Sequence, residues 1–226
     1  RDIRDLAGTR SEEITLFGGS ASYNRLENSD FAYVRGLVLS LSMIETNGFS
    51  ASLDYTFQIA KGSASDPQQA RNAIAGGSLP EIQLTPLDWD QRNTVNMSLA
   101  YDRANWGISG IGQFGSGLPY TPLSTEDISS LVLNSGKKPL TWNVDLKGYF
   151  IPRDGLRLFI RAENIFDRLN PYTVYDDSGV ADFTRWENIA KSQNTGEPIN
   201  SISKWFLNET FYSNPRRIEL GLSYVF

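Results

Sequence analysis

The side chains able to do covalent chemistry are sparse in this sequence. It contains neither His nor Cys. Ser-His-Asp and Cys-His nucleophiles, imidazole or thiolate metal centres and disulfides are therefore all excluded. Carboxylates remain. Asp176-Asp177-Ser178-Gly179 has the residue types of a calcium-binding turn. It lacks the spaced carboxylates and the distal Glu of an EF-hand loop, and an Asx turn accounts for it. The pairs Glu12-Glu13 and Glu126-Asp127 read as solvated loop charges. On a strand, neighbouring residues would point to opposite faces and could not act together. Gly115-Ser116-Gly117 and Gly18-Gly19 have no Lys-Ser/Thr at phosphate-loop spacing, and glycines at a strand end let the sheet bend. These residues predict no catalysis and no resident cofactor, with calcium in a loop as the one metal to consider.

Binding chemistry is better represented. The stretch 168–214 carries Tyr172, Tyr175, Trp186 and Trp205 among other aromatic residues. Loops longer than about 15 residues are usually functional or disordered, and aromatic content argues against disorder. These four residues are expected on a surface that contacts a ligand or a partner protein. A loop folded over its own apolar patch is the plainer alternative. The net charge of −5 and pI of about 4.9 make nucleic acid a poor partner.

The elements that position these residues show in the hydropathy pattern. The last stretch, R-R-I-E-L-G-L-S-Y-V-F, alternates to its end. Ile218, Leu220, Leu222, Tyr224 and Phe226 share one parity; Arg217, Glu219, Gly221 and Ser223 share the other. Period two means a strand with one apolar and one polar face. The same alternation runs through 29–46, 49–61, 94–101, 140–150 and 156–162, and less cleanly through the glycine-rich 106–114. A partial strand is expected at 1–7. Asn47-Gly48 is a strong type I′ hairpin signal.

The connections sort by length. Those at 47–48, 103–105 and 152–155 are minimal, while those at about 62–87, 118–139 and 168–214 are long and polar. Short and long alternate. Outer-membrane barrels have this arrangement, with short periplasmic turns and long outer loops, and strands of roughly 10–12 residues that cross an apolar band of roughly 25 Å. Aromatics near strand ends fit an interfacial belt: Tyr33, Trp89, Tyr101, Trp106, Trp142 and Phe150. No run is long enough for a membrane helix, and the mean hydropathy of −0.34 does not argue against strands whose lipid-facing residues alternate with polar ones. The fold class expected is all-β, a transmembrane antiparallel barrel. Mid-strand charges opposite the apolar face, such as Asp54, Asp145, Lys147, Arg161 and Glu219, would line its lumen. A soluble β-sandwich would instead expose that polar face and bury the apolar one.

Several segments resemble one family. N-I-F-D at 164–167 with R-L-N-P-Y-T-V-Y-D-D-S-G at 168–179, and N-P-R-R-I-E-L-G-L-S-Y-V-F at 214–226, are similar to the closing part of TonB-dependent outer-membrane receptors. N-S-D-F-A-Y-V-R-G at 28–36, D-Y-T-F-Q-I-A at 54–60 and D-I-R-D-L at 2–6 resemble further barrel strands of that family. The resemblance implies that residues 1–226 form about the last eight strands of a barrel of about 22 strands. The plug domain and TonB-binding segment would lie upstream of Arg1. It further implies import of a bulky, scarce nutrient such as a metal chelate, vitamin, glycan or peptide. Partners would be outer-membrane lipid, the TonB complex, the barrel-assembly machinery and possible surface lipoprotein. Gly221, Leu222, Tyr224 and Phe226 would be the assembly signal, with the C-terminus periplasmic. Two alternatives stand beside it: a self-contained eight-stranded barrel with a structural or adhesive role, and a non-transporting subunit of a larger outer-membrane assembly.

Overall fold

A computed structural model describes residues 2–65, 68, 72, 84–123, 132–194 and 201–224. Its main feature is one antiparallel sheet whose long strands follow sequence order. These are β1 (Asp2–Leu16), β2 (Gly19–Thr46), β3 (Phe49–Gly62), β5 (Asn93–Asp102), β6 (Trp106–Gly115), β9 (Thr141–Arg153), β10 (Leu156–Glu163) and β11 (Arg217–Tyr224). Three two-residue strands complete the set: β4 (Thr85–Pro86) pairs with β3, and β7 (Pro119–Tyr120) pairs with β8 (Gly136–Lys137). The sheet is open, with β1 and β11 at its edges.

Cross-strand register turns the alternation of each strand into two continuous faces. On one face Leu41, Leu53 and Met97 are aligned, as are Tyr101 with Ile108, and Ile160 with Leu220. On the other, Asp54, Asn96, Gln113 and Asn143 are aligned across four strands, and Lys147, Arg161 and Glu219 across three. A one-residue slip of any strand would invert its contribution to both faces.

The apolar face is exposed. Leu37, Leu220 and Leu222 keep 63%, 78% and 70% of their accessible surface. The buried hydrophobic residues among those described are five: Ala32, Ala60, Leu87, Val174 and Ala181. A sandwich seals its apolar faces against a second layer; this sheet leaves its own bare. The ten residues of β5, at about 3.3 Å each and a tilt of about 40°, cover roughly 25 Å, which is the height of an apolar bilayer band.

The turns follow backbone chemistry. Asn47 and Gly48 have φ of 55° and 86°, the pair of positive values that a type I′ turn requires. Phe17 and Gly18 repeat this at 50° and 81° and join β1 to β2. Here the structure corrects the sequence reading. Strand β1 does not stop at residue 7, and β2 begins ten residues before 29. The two form a long hairpin that extends beyond Ala32, where pairing with β3 begins. The Glu12-Glu13 pair thus lies in a strand rather than a loop. Glu12 accepts from Tyr23 Oη at 2.6 Å and pairs with Arg25 at 3.4 Å. The extension lies beyond the part of β2 that pairs with β3, and it carries no continuous apolar stripe.

The long connections are not independent excursions. The return leg 84–92 folds onto the polar face, where Leu87 packs on Ala32 and Ala60. Asp90 is fully buried there, accepting from Ala60 N–H at 2.7 Å and Arg92 Nε at 2.8 Å. Lys137, from the next connection, lies 3.7 Å from the same carboxylate. Burial draws the Lys137 ammonium below the ordinary lysine range, against the pull of Asp90. Asn134 donates to Pro86 O and to Asp88 Oδ1 at 2.8 and 2.7 Å, so the first two long connections are stitched together.

Candidate functional site

The polar face meets the root of the last long connection at a pair of adjoining hollows. The larger, about 380 Å³, is lined by Gln113, Asn143, Asp145, Glu163, Tyr172 and Arg217 among others. The smaller, about 220 Å³, shares Gln113, Asn143, Asn170 and Tyr172 with it and continues to Asn96 and Gln91. The larger has the size of an ordinary small-molecule site.

Residues of the N-I-F-D segment build the root. Asn164 has φ of 49° and Asp167 of 54°, left-handed conformations that Asn and Asp tolerate better than other side-chain-bearing residues. Asn164 is buried and makes a closed set of bonds. Its Oδ1 accepts from Arg168 N at 3.0 Å, and its Nδ2 donates to Arg168 O at 2.9 Å and Asn214 O at 3.1 Å. Its own N–H donates to Asp145 Oδ1 at 2.8 Å, tying the loop to the wall. Asp167 Oδ1 accepts from Arg216 N at 2.7 Å. Asn170, also buried, receives Trp142 N–H at 3.0 Å and donates to Trp142 O at 2.8 Å. The two ends of a connection of about fifty residues are thus bonded to each other and to β9. The segment quoted for its resemblance works as a structural clamp.

Beyond the clamp the connection folds into α1 (Arg185–Gln193), α2 (Ile202–Phe206) and a 3-10 turn, Glu209–Phe211. Thr184 caps α1. Asp177 accepts from Thr184 Oγ1 at 2.8 Å and from Arg185 N at 2.7 Å, so the carboxylate in the D-D-S-G turn is engaged at a helix start. Among the described residues no group of three or more acidic side chains converges. Lys191 and Ser203 bond to Glu187 and hold its carboxyl below the usual range, which links α1 to α2.

The four aromatics expected at a contact surface separate. Tyr172 flanks both hollows and is 61% exposed. Tyr175 packs inside the connection, 5.0 Å from the Phe211 ring, with its hydroxyl on Phe206 O. Trp186 and Trp205 stand exposed on α1 and α2, away from the hollows. The amide-rich wall itself was not singled out from sequence. Its only signal is that Asn96, Gln113 and Asn143 occupy inward parity positions.

The expected belt residues occupy both ends of the apolar face. At the short-turn end, Tyr101 and Trp106 rings are 5.5 Å apart, and Phe150 is aligned with Trp106. Arg103 lies over Tyr101 at 4.8 Å. At the other end Tyr33 lies under Arg35, and Trp142 lies 5.4 Å from Phe166 with Arg168 at 5.3 Å. Trp89 sits elsewhere, in the return leg, where its carbonyl accepts from Gln58 at 3.3 Å. On β11, Leu222 and Tyr224 are exposed on the apolar face. Gly221 faces inward, aligned with Phe159. A Cβ on Gly221 would stand 2.2 Å from that ring. Phe226 lies outside the described residues, as does Glu126-Asp127.

No protein-family profile matches the chain, and no curated protein does. Solved structures do. The outer-membrane transporter YddB from Escherichia coli matches at a TM-score of 0.60 and 11% identity, over 99% of this chain and 29% of that one. P. aeruginosa FpvA bound to heterologous pyoverdines matches at 0.52 and 14%, over 96% and 23%. The FpvAI–pyocin S2 complex matches at 0.51 and 14%, with the same coverage. The chain spans about a quarter of the length of these proteins. At such identities the likeness speaks to architecture: the chain has the fold of a stretch of outer-membrane β-barrel wall.

Proposed function

We propose that this chain is the closing part of the wall of a TonB-dependent outer-membrane receptor, which imports a bulky, scarce nutrient. The observation that carries the reading is the sheet itself. One face is continuously apolar and bare, the other is mostly polar, and from β2 onward the short turns fall at one edge of the sheet and the long connections at the other. Lipid is the solvent that makes the first face stable, since water would leave a patch of that size to aggregate. Likeness to a solved outer-membrane transporter supports the same assignment.

In this reading the barrel does no covalent chemistry. The wall supplies a lumen, and the clamped loops form the outer mouth. Energy comes from the TonB complex through a plug region outside this chain. The barrel-assembly machinery reads β11, and a surface lipoprotein is a further partner for the loop aromatics.

Two measurements test it. In cells, substrate uptake is compared with and without the energising complex; uptake indifferent to that complex refutes the transport role. For topology, Trp205→Cys should react with a membrane-impermeant maleimide on intact cells, and Asn47→Cys should react only after permeabilisation. The reverse pattern overturns the orientation.

A further inference from the structure

The hollows on the inner wall carry a more specific chemistry than a generic lumen. Asn96, Gln113 and Asn143 stand side by side on β5, β6 and β9, separated by the strand spacing of about 4.8 Å. Among the described residues the amides of Asn96 and Gln113 make no side-chain hydrogen bond. Asn143 Nδ2 is committed to Asp145 Oδ1 at 2.8 Å, and this fixes its orientation. Its Oδ1 is then buried with no donor. Buried acceptors are ordinarily satisfied. An orphaned one lining a hollow asks for a donor from a ligand.

The charge balance narrows the ligand. Asp145 is occupied by Asn143 and Asn164, and Arg217 by Glu219. Glu163 is aligned with Arg217. Asp145 and Glu163 stand with Arg216 and Arg217 in the lining of the larger hollow, two charges of each sign, so there is no net excess to attract a highly charged metal chelate. Their lining is mostly polar side chains, with Phe114, Trp142 and Pro215 as its apolar members. What they offer is a dense row of groups that both donate and accept. One exposed ring, Tyr172, stands beside both hollows. Sugar hydroxyls both donate and accept, and the C–H face of a sugar ring packs on an aromatic ring.

We infer that this cleft is a binding site for a neutral oligosaccharide, with Gln113 and Asn143 bonding its hydroxyls and Tyr172 stacking on a ring. The inference rests on the receptor reading and names its cargo class.

The test uses the intact receptor in detergent. Maltohexaose, cellohexaose, xylohexaose and mannohexaose are titrated calorimetrically beside a ferric hydroxamate chelate and a pentapeptide. At least one hexasaccharide should bind, and Gln113→Ala and Tyr172→Ala should each weaken it about tenfold. Heat-modifiable mobility should be unchanged in both variants. The inference is overturned if no hexasaccharide binds, or if both variants bind as the parent does. Chelate or peptide binding that is lost in Gln113→Ala reassigns the cleft. Energy dependence of uptake is read separately: intact saccharide binding with uptake indifferent to the TonB complex sinks the transport reading and leaves the cleft standing.

Discussion

Replacing Gly221 by Ala isolates what holds the terminal strand in register. In a strand interior, Ala is normally better than Gly by about 0.5–1 kcal/mol, because Gly loses more backbone freedom. The structure predicts the opposite sign here. An added Cβ would meet Phe159 Cζ at 2.2 Å and Cε1 at 2.6 Å, far inside contact distance. Phe159 cannot swing freely toward the other side, because Tyr149 occupies the next position of the same row. Tyr149 in turn covers Gly107, donates to Asp102 at 2.9 Å and carries Arg157 over its ring at 4.0 Å. Overpacking of this kind costs about 1–3 kcal/mol. Set against the backbone gain, the net loss is about 0–2.5 kcal/mol, centred near 1 kcal/mol or a factor of roughly 5 in the folding equilibrium. Phe159→Ala should remove the penalty, so that Gly221→Ala becomes neutral or stabilising in that background. The assay is the heat-modifiable mobility midpoint of the intact receptor for the parent, both single variants and the double variant. Equal destabilisation with and without the Phe159 ring, or stabilisation of the parent by Gly221→Ala, refutes the argument. Gly221 would then owe its place to something other than the ring above it.

Two further outcomes follow from the last connection. Asn164→Ala removes three bonds that join residue 164 to Arg168 and Asn214, and forces Ala into a left-handed conformation. A loss of about 2–4 kcal/mol is expected, read as faster limited proteolysis within 165–216 while the wall strands stay protected. Glu187 has its pKa lowered by Lys191 and Ser203, so its contribution is full above the ordinary value of 4.5 and is lost as pH falls through the lower folded value. The protection of α1 amides, taken relative to the unstructured exchange rate at each pH, should therefore fall on acidification below about pH 4.5 in the parent; in Glu187→Gln it should be low and flat across the same range. An acid-sensitive Gln variant contradicts the assignment.

The strands with one apolar and one polar face were legible because two different surroundings impose period two on them. The β1–β2 extension was not. There both faces meet the same surroundings, and 8–28 carries mostly small, polar and charged residues with no greasy stripe. The N-I-F-D segment was noticed as a pattern, yet its work was hidden. Asn164 bonds to Asn214, fifty residues away, and nothing local in the sequence announces that partner.

By itself, then, the sequence determined the all-β, antiparallel class of the sheet, the alternation of short and long connections from residue 47 onward, and the absence of His and Cys chemistry. Each depends only on residue type and parity, which survive without coordinates. Tertiary structure decided which inward residues meet. Asn96, Gln113 and Asn143 become one row only when β5, β6 and β9 pair in register. Phe159 finds Gly221 only across a connection of fifty residues. Register is a property of pairs of strands, and no single strand encodes it.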